Sequence, residues 1–314
     1  MIGLGDIEAA RRRIAGNVRE TPVMHATALR DGVGNGDFEL WLKLELLQAT
    51  GSFKARGATN KLLSLDKAAL ARGVVTASGG NHGLATARAA QMAGVQATIF
   101  IPTNAAPAKI EKLKAWGADV HIVGDAWHES NEAALAYNRE AGAAYFHPFA
   151  DPLVVAGQGT VALECLEQIE DLDTILVAMG GGGLVSGVAT AIKALKPSVR
   201  VIGIEAEGSP VLLRSLKAGR NIPLERTTTS VATMSCAKTD DSIFEMVRER
   251  VDDVVLVSDE EMRFAAKWLW FELGLAADLS GAAAIAALQT RRVKPASGSV
   301  VCAIVCGAGP DGVL

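Results

Sequence analysis

Apolar positions along this chain fall into two series of short strands separated by longer helical stretches. In the first series, residues 73–78, 97–102, 119–123 and 143–147 read as strands, and 84–93, 107–116 and 126–141 between them as helices. The strand runs are largely apolar rather than alternating, the pattern of a parallel sheet covered on both faces. A second series begins after Pro148, with helix 153–169, strand 174–179, a glycine turn, helix 184–195, strand 199–205 and helix 210–218. A polar, threonine-rich stretch at 221–238 reads as a long loop. Helix 242–250, strand 253–257, helices 259–273 and 281–288 and strand 299–306 complete the chain. This alternation predicts an α/β architecture of largely parallel sheets in two lobes with a cleft between them. Open sheets of this class bind ligands at the carboxyl ends of their strands. The turns after Ser78 and Met179, and Cys306, all fall at such ends.

Composition narrows the function classes. The chain has 314 residues, 49% hydrophobic and 21% charged, with a net charge of −4. That balance gives no basic surface for nucleic acid or an anionic membrane. The aromatic content of 5% does not suit a stacking platform for single strands. No run is long and apolar enough for a bilayer, and residues 1–6 lack the basic-then-apolar order of a signal peptide. A cytoplasmic location is the expectation. It agrees with four cysteines, Cys165, Cys236, Cys302 and Cys306, that form no Cys-x-x-Cys pair. Strand alternation places Cys302 and Cys306 on one face. The five histidines are scattered, so zinc is not expected.

Two segments carry candidate chemistry. In Gly51-Ser52-Phe53-Lys54-Ala55-Arg56-Gly57 a lysine lies among small and apolar neighbours. Desolvation disfavours its ammonium form, and the neutral amine is the nucleophile of Schiff-base chemistry. The bland alternative is a surface lysine at a helix start. The second segment is Gly180, Gly181, Gly182 and Gly183, between a strand and a helix. A turn stripped of side chains at a helix N-terminus suits a phosphate. Its bland alternative is a hinge or a close packing site. The following Leu184-Val185-Ser186 excludes a P-loop. A dinucleotide fold competes, since Glu205 lies near the spacing of a ribose-binding acid, but the strict Gly-x-Gly-x-x-Gly pattern fails at Ser186.

In combination the segments are far more specific. Lys43-Leu44-Glu45, residues 51–58, Ser78-Gly79-Gly80-Asn81-His82-Gly83, Ala156-Gly157-Gln158-Gly159-Thr160, the glycine turn and Cys306-Gly307-Ala308-Gly309 occur in order. Over nearly its whole length the chain resembles the fold-type II pyridoxal-phosphate enzymes, in the serine/threonine dehydratase and serine racemase group. The resemblance implies a tryptophan synthase β-like fold with the cofactor in the interdomain cleft. It implies a large cofactor-binding domain of residues 1–65 and 150–314, a small inserted domain of 66–149, and a homodimer. It assigns Lys54 to the internal aldimine and to proton abstraction, Phe53 to the pyridine ring, and Asn81 to the ring hydroxyl. Gly180 to Gly183 would take the cofactor phosphate, and Cys306 would face the pyridine nitrogen. Ser78, Gly79, Gly80, Asn81 and His82 would form the substrate-carboxylate turn.

These implications favour dehydration and deamination of a β-hydroxy amino acid such as serine or threonine. A neutral thiol at the ring nitrogen makes a mild electron sink. Gly79 stands where the family's racemases carry a serine as acid/base on the opposite ring face, which disfavours racemisation. Other fold-type II reactions, including racemisation, 3-hydroxyaspartate dehydration and β-replacement, are the alternatives, with a nucleotide-binding dehydrogenase from outside the class. The chain departs from the pattern in three places. Ala232-Thr233-Met234 stands where many members read Ala-Asp-Gly. Glu205 matches the first acid of a cation site found in some members, but Val211 replaces a later one, leaving Glu207 as a substitute. Asp278 replaces the more usual Glu, as a structural carboxylate near the ring. Asn131 lies roughly where a second substrate carboxylate would seek an arginine.

Overall fold

A computed structural model describes residues 1–33, 37–103, 105 and 107–313. The chain opens with α1 (Leu4–Ile14), β1 (Val23–His25), β2 (Glu39–Lys43) and α2 (Lys54–Leu63). There follow α3 (Lys67–Leu70), β3 (Val74–Ala77), α4 (Asn81–Ala93), β4 (Ala97–Ile101), α5 (Pro107–Ala115), β5 (Asp119–Ile122), α6 (Trp127–Ala141) and β6 (Ala144–Tyr145). The remainder comprises α7 (Pro152–Gln168), β7 (Leu172–Ala178), α8 (Gly183–Leu195), β8 (Arg200–Ala206), α9 (Val211–Ala218), α10 (Asp241–Arg250), β9 (Asp253–Val257), α11 (Asp259–Leu273), α12 (Leu279–Gln289) and β10 (Val300–Ile304).

Two sheets result, one of six strands in the order β1-β2-β10-β7-β8-β9 and one of four in the order β5-β4-β3-β6. Every strand pair is parallel except β1 with β2. The α/β expectation therefore holds. The order of the larger sheet matters most for the site. The last strand, β10, inserts between β2 and β7. Segments far apart in sequence thereby leave the sheet side by side: the approach to Lys54 after β2, Cys306 after β10, and the glycine turn after β7.

Local chemistry explains the helix starts. Asp151 Oδ1 accepts from Leu153 N at 2.9 Å and Val154 N at 3.3 Å, and Pro152 opens α7 where a missing N–H costs nothing. Ser258 and Glu261 form a reciprocal capping box on α11. The elements before residue 73 escape the strand–helix reading, and two features there bear on the packing. The first is α1, whose Ile7, Ala10 and Ile14 are buried at helical spacing; Ile7 packs so closely on Gly159 that a Cβ there would sit 2.7 Å from it. The second is the pair β1 and β2, the latter with a 3₁₀ turn at Glu45–Leu47 dividing one apolar run. The final strand is shorter than expected. Cys306 lies beyond its end, so Cys302 and Cys306 do not share a sheet face; Cys302 meets Cys165 of α7 instead.

One buried charge network fixes the start of α2. Arg56 donates through Nε to Glu45 at 2.8 Å and through Nη1 to Glu164 at 2.5 Å. Its Nη2 reaches both carboxylates at 2.7 Å, and Lys43 Nζ meets Glu164 at 2.7 Å. Two cations and two anions close on one another in the dry interior, the condition under which buried ions are tolerated. Removing one partner leaves the others short of donors. Arg56→Ala is expected to cost about 3–5 kcal/mol in urea unfolding. Arg11→Ala, which breaks the exposed Arg11–Glu167 pair, should stay within about 1 kcal/mol. Equal losses from the two variants would contradict this reading.

Candidate active site

Lys54 is the first residue of α2, and the chain reaches it under constraint. Thr50 holds a left-handed φ of 62° and Gly51 a φ of +81°. The peptide before Lys54 is clamped to the exit of β10. Phe53 N donates to Cys306 O at 3.2 Å, and Ala308 N donates to Gly51 O at 2.7 Å. Lys54 Nζ donates to Pro148 O at 2.6 Å and lies 5.1 Å from the centre of the Phe53 ring. Among the described residues no carboxylate acts on it. Burial therefore pulls its pKa down from 10.5 to about 8, with only the thiols of Cys306 and Cys236 acting against it.

The glycine turn is both closely packed and placed at a helix start. The N–H groups of its last residues open α8, the arrangement that favours an anion. Each glycine is also required by a neighbour. A Cβ on Gly180 would sit 2.9 Å from Thr233 O, one on Gly181 2.3 Å from the Phe149 ring, and one on Gly183 2.7 Å from Phe149 O. Gly182 has a φ of +89°. Thr239 Oγ1 donates to Gly181 O at 2.8 Å and steadies the far side. Phe149 and Thr239 were not singled out from the sequence. The alternation Tyr145, His147, Phe149 was the available signal: the His147 ring packs edge-on to Phe149 at 4.6 Å.

The Ser78–His82 segment lies at the carboxyl end of β3, and its helix begins at Asn81, not at Leu84. Gly80 is the N-cap and no side chain caps the helix, so first-turn N–H groups of α4 are left without intrahelical partners. Gly83 is obligatory, because a Cβ would lie 1.9 Å from Ser78 O. Gly79 is not: a Cβ there would meet only Ile101, at 3.4 Å. The His82 side chain is turned into the small domain's core. It is buried, its Nε2 pairs with Phe146 O at 3.1 Å, and burial holds its pKa well below 6.5. Only its backbone N–H can serve a ligand.

Asp278 proves to be a junction. It caps α12, its Oδ1 accepting from Gly281 N and from Ser280 Oγ, each at 2.7 Å. Its Oδ2 accepts from Asn81 Nδ2 at 3.1 Å, joining the two sheets' halves of the molecule. Cys306 Sγ lies 3.7 Å from Ser280 Oγ. Burial, reinforced by the charge of Asp278, pushes the Cys306 thiol up, so it keeps its hydrogen. Gly307 and Gly309 leave room for Asp278, since Cβ atoms there would come within 2.4 Å and 2.8 Å of it.

The cation expectation finds another arrangement. Glu205 is fully buried, and its two oxygens accept from Leu212 N and Leu213 N, both at 2.8 Å, capping α9. Burial pushes its carboxyl up to about 7 against the pull of those bonds. Glu207 turns away to Arg292 at 3.1 Å. Among the described residues no three His, Cys, Asp or Glu side chains converge as a metal site. Met234 is buried with its backbone against Gly180, so the Ala232-Thr233-Met234 departure does border the glycine turn.

Comparison with known proteins gives this geometry a family. The family model described as pyridoxal-phosphate dependent enzyme matches residues 14–307. An L-threonine ammonia-lyase of Thermotoga maritima is 40% identical over 99% of this chain and 76% of its own length. A serine racemase of Oryza sativa subsp. japonica is 40% identical over 98% of this chain and 91% of its own. The solved structure of maize serine racemase superposes with a TM-score of 0.91 at 36% identity, covering 98% of this chain and 93% of that one. Processed threonine deaminase isoform 2 of Solanum lycopersicum gives 0.89 at 32% identity, covering 98% and 83%. The chain thus belongs to the pyridoxal-phosphate dependent enzymes of fold type II, in the group of threonine ammonia-lyases and serine racemases.

Proposed function

We propose that the protein eliminates water from a β-hydroxy amino acid of the serine and threonine class, releasing a 2-oxo acid and ammonia. One observation carries the choice of elimination: the desolvated Lys54 amine is a base on one side of the cleft, and the opposite position, Gly79, has no side chain. Several relatives are named L-threonine ammonia-lyase, which supports the same reading.

The cleft fits pyridoxal phosphate. Its glycine turn has no room for side chains and ends at a helix N-terminus, which suits the phosphate. Lys54 offers an amine without a counter-charge. When bound, the cofactor supplies an electron sink for the substrate's α-carbon. The chain's own residues do the rest. Phe53 would pack on the cofactor ring, Asn81 would bond its hydroxyl, and Cys306 would lie at its nitrogen. The first-turn N–H groups of α4, with Ser78 and Gly80 beside them, hold the substrate carboxylate. Lys54 Nζ takes the α-hydrogen as a proton, and the departing hydroxyl takes up a proton, balanced over the cycle by the one Lys54 has gained, and leaves as water. The enamine released tautomerises to an imine, which water hydrolyses to the 2-oxo acid and ammonia. Residues 66–149 close this site as the small domain, against a large domain of 1–65 and 150–314. Asn131 supports a monocarboxylate substrate: it is neutral, and its Oδ1 already accepts from Tyr145 at 2.5 Å.

Three outcomes test this reading. A panel of serine, threonine and 3-hydroxyaspartate should release 2-oxo acid from at least one of the first two, and Lys54→Ala should lose both turnover and yellow colour; a yellow, active variant would refute the role of Lys54. Apoprotein should combine with added pyridoxal phosphate at a rate that rises tenfold per pH unit below 8 and levels off above it, because the reactive neutral amine is half-formed near its pKa of about 8. A rate still climbing steeply through pH 10 would mark an ordinary lysine. Gly79→Ser, which the backbone has space for, should add D-serine formation from L-serine, where the parent protein forms little; no gain would separate racemisation from this position.

A further inference from the structure

The hydrogen bonds around Cys306 run in one direction. An ionised carboxylate can only accept. Asp278 takes three donors: Ser280 Oγ, Gly281 N and Asn81 Nδ2. The single hydrogen of the Ser280 hydroxyl is therefore committed to Asp278, at 2.7 Å. What Ser280 has left is lone pairs, made better acceptors by its own donation. The Cys306 thiol, 3.7 Å away, is the donor that meets them. Ser280 and Cys306 are both buried, so little solvent competes for that hydrogen, while Asp278 beside them is half-buried. Titratable groups acting on this string are Asp311 on Asp278, and Lys54 and Asp278 on Cys306.

We propose that Ser280 is a positioning residue that, anchored by Asp278, draws the Cys306 hydrogen away from the cofactor, so the ring nitrogen receives no hydrogen bond from sulfur. The thiol then presents only lone pairs to the pyridine. A donor at that nitrogen would withdraw electrons from the ring; this arrangement withholds it. The sink is milder than a thiol at that position would otherwise make it. That suits a reaction whose leaving group departs at once, and not one that must stabilise a long-lived carbanion. This inference rests on the pyridoxal-phosphate reading above.

The direct test is the ¹⁵N resonance of ¹⁵N-labelled pyridoxal phosphate bound to the protein, which moves upfield when the ring nitrogen accepts a hydrogen bond. Ser280→Ala should free the thiol and shift the resonance upfield. Ser280→Thr keeps the hydroxyl and should leave it in place. In a Cys306→Ala background, Ser280→Ala should produce no shift, which a merely structural effect of Ser280 would not reproduce. An unmoved resonance in Ser280→Ala overturns the proposal. So does a downfield shift in Cys306→Ala alone, since it shows the thiol already donating to the ring. Failure of the protein to bind the labelled cofactor at all would instead defeat the underlying functional reading.

Discussion

Two cations begin α2, and the contrast between them organises the molecule. Arg56 is locked among Glu45 and Glu164, with Lys43 closing the set. Lys54, two residues earlier, is half-buried, and among the described residues no carboxylate acts on it. A helix places residues two apart on different faces, so one face is anchored and the other is left electrically bare. The anchoring is what makes the bare face tolerable. An unpaired ammonium in a dry site favours losing its proton, and only a rigid surround keeps it from swinging to water. The Pro148 carbonyl gives Nζ one acceptor without giving it a counter-charge.

The rest of the site is built around that amine by topology more than by local sequence. Because β10 enters the sheet beside β2, the Cys306 carbonyl can clamp the Phe53 amide, and Gly51 can pair with Ala308. Because β7 lies on the other flank of β10, the glycine turn reaches the same edge. Asp278 then links this edge to Asn81 on α4. The glycines of the two motifs answer to this crowding. Gly181 and Gly183 yield to Phe149, and Gly307 and Gly309 yield to Asp278. Close packing demands a bare backbone at the glycine turn, and a bare backbone at a helix start is also what an anion site needs, so the two readings of the turn are compatible.

Much of this was legible in the chain. The strand–helix alternation sets the architecture, and the glycine-rich turns fall at the carboxyl ends of β3 and β7, the edge at which open sheets of this class bind ligands. The amine of Lys54 was visible from its small and apolar neighbours. What was hidden depends on contacts between distant segments. Nothing local to Ser280 or Asp278 says that they point at Cys306, since the pairing of α12 with the exit of β10 decides it. That the His82 imidazole is buried against Phe146, leaving its backbone N–H as the group at the start of α4, is equally invisible locally. Glu205 reads as a cation ligand until α9 turns its first amides toward it. The end of β10 misleads because apolar residues continue past the last ladder bond, which made Cys302 and Cys306 look like neighbours on one face.

The central claim is that Lys54 is the amine that holds the cofactor covalently. Reduction of the cofactor-loaded protein with borohydride, followed by peptide mass mapping, tests it most directly. The account predicts a pyridoxyl-phosphate adduct on Lys54 alone, with loss of the visible absorbance. An adduct on another lysine, or a loaded protein that carries none, would contradict it.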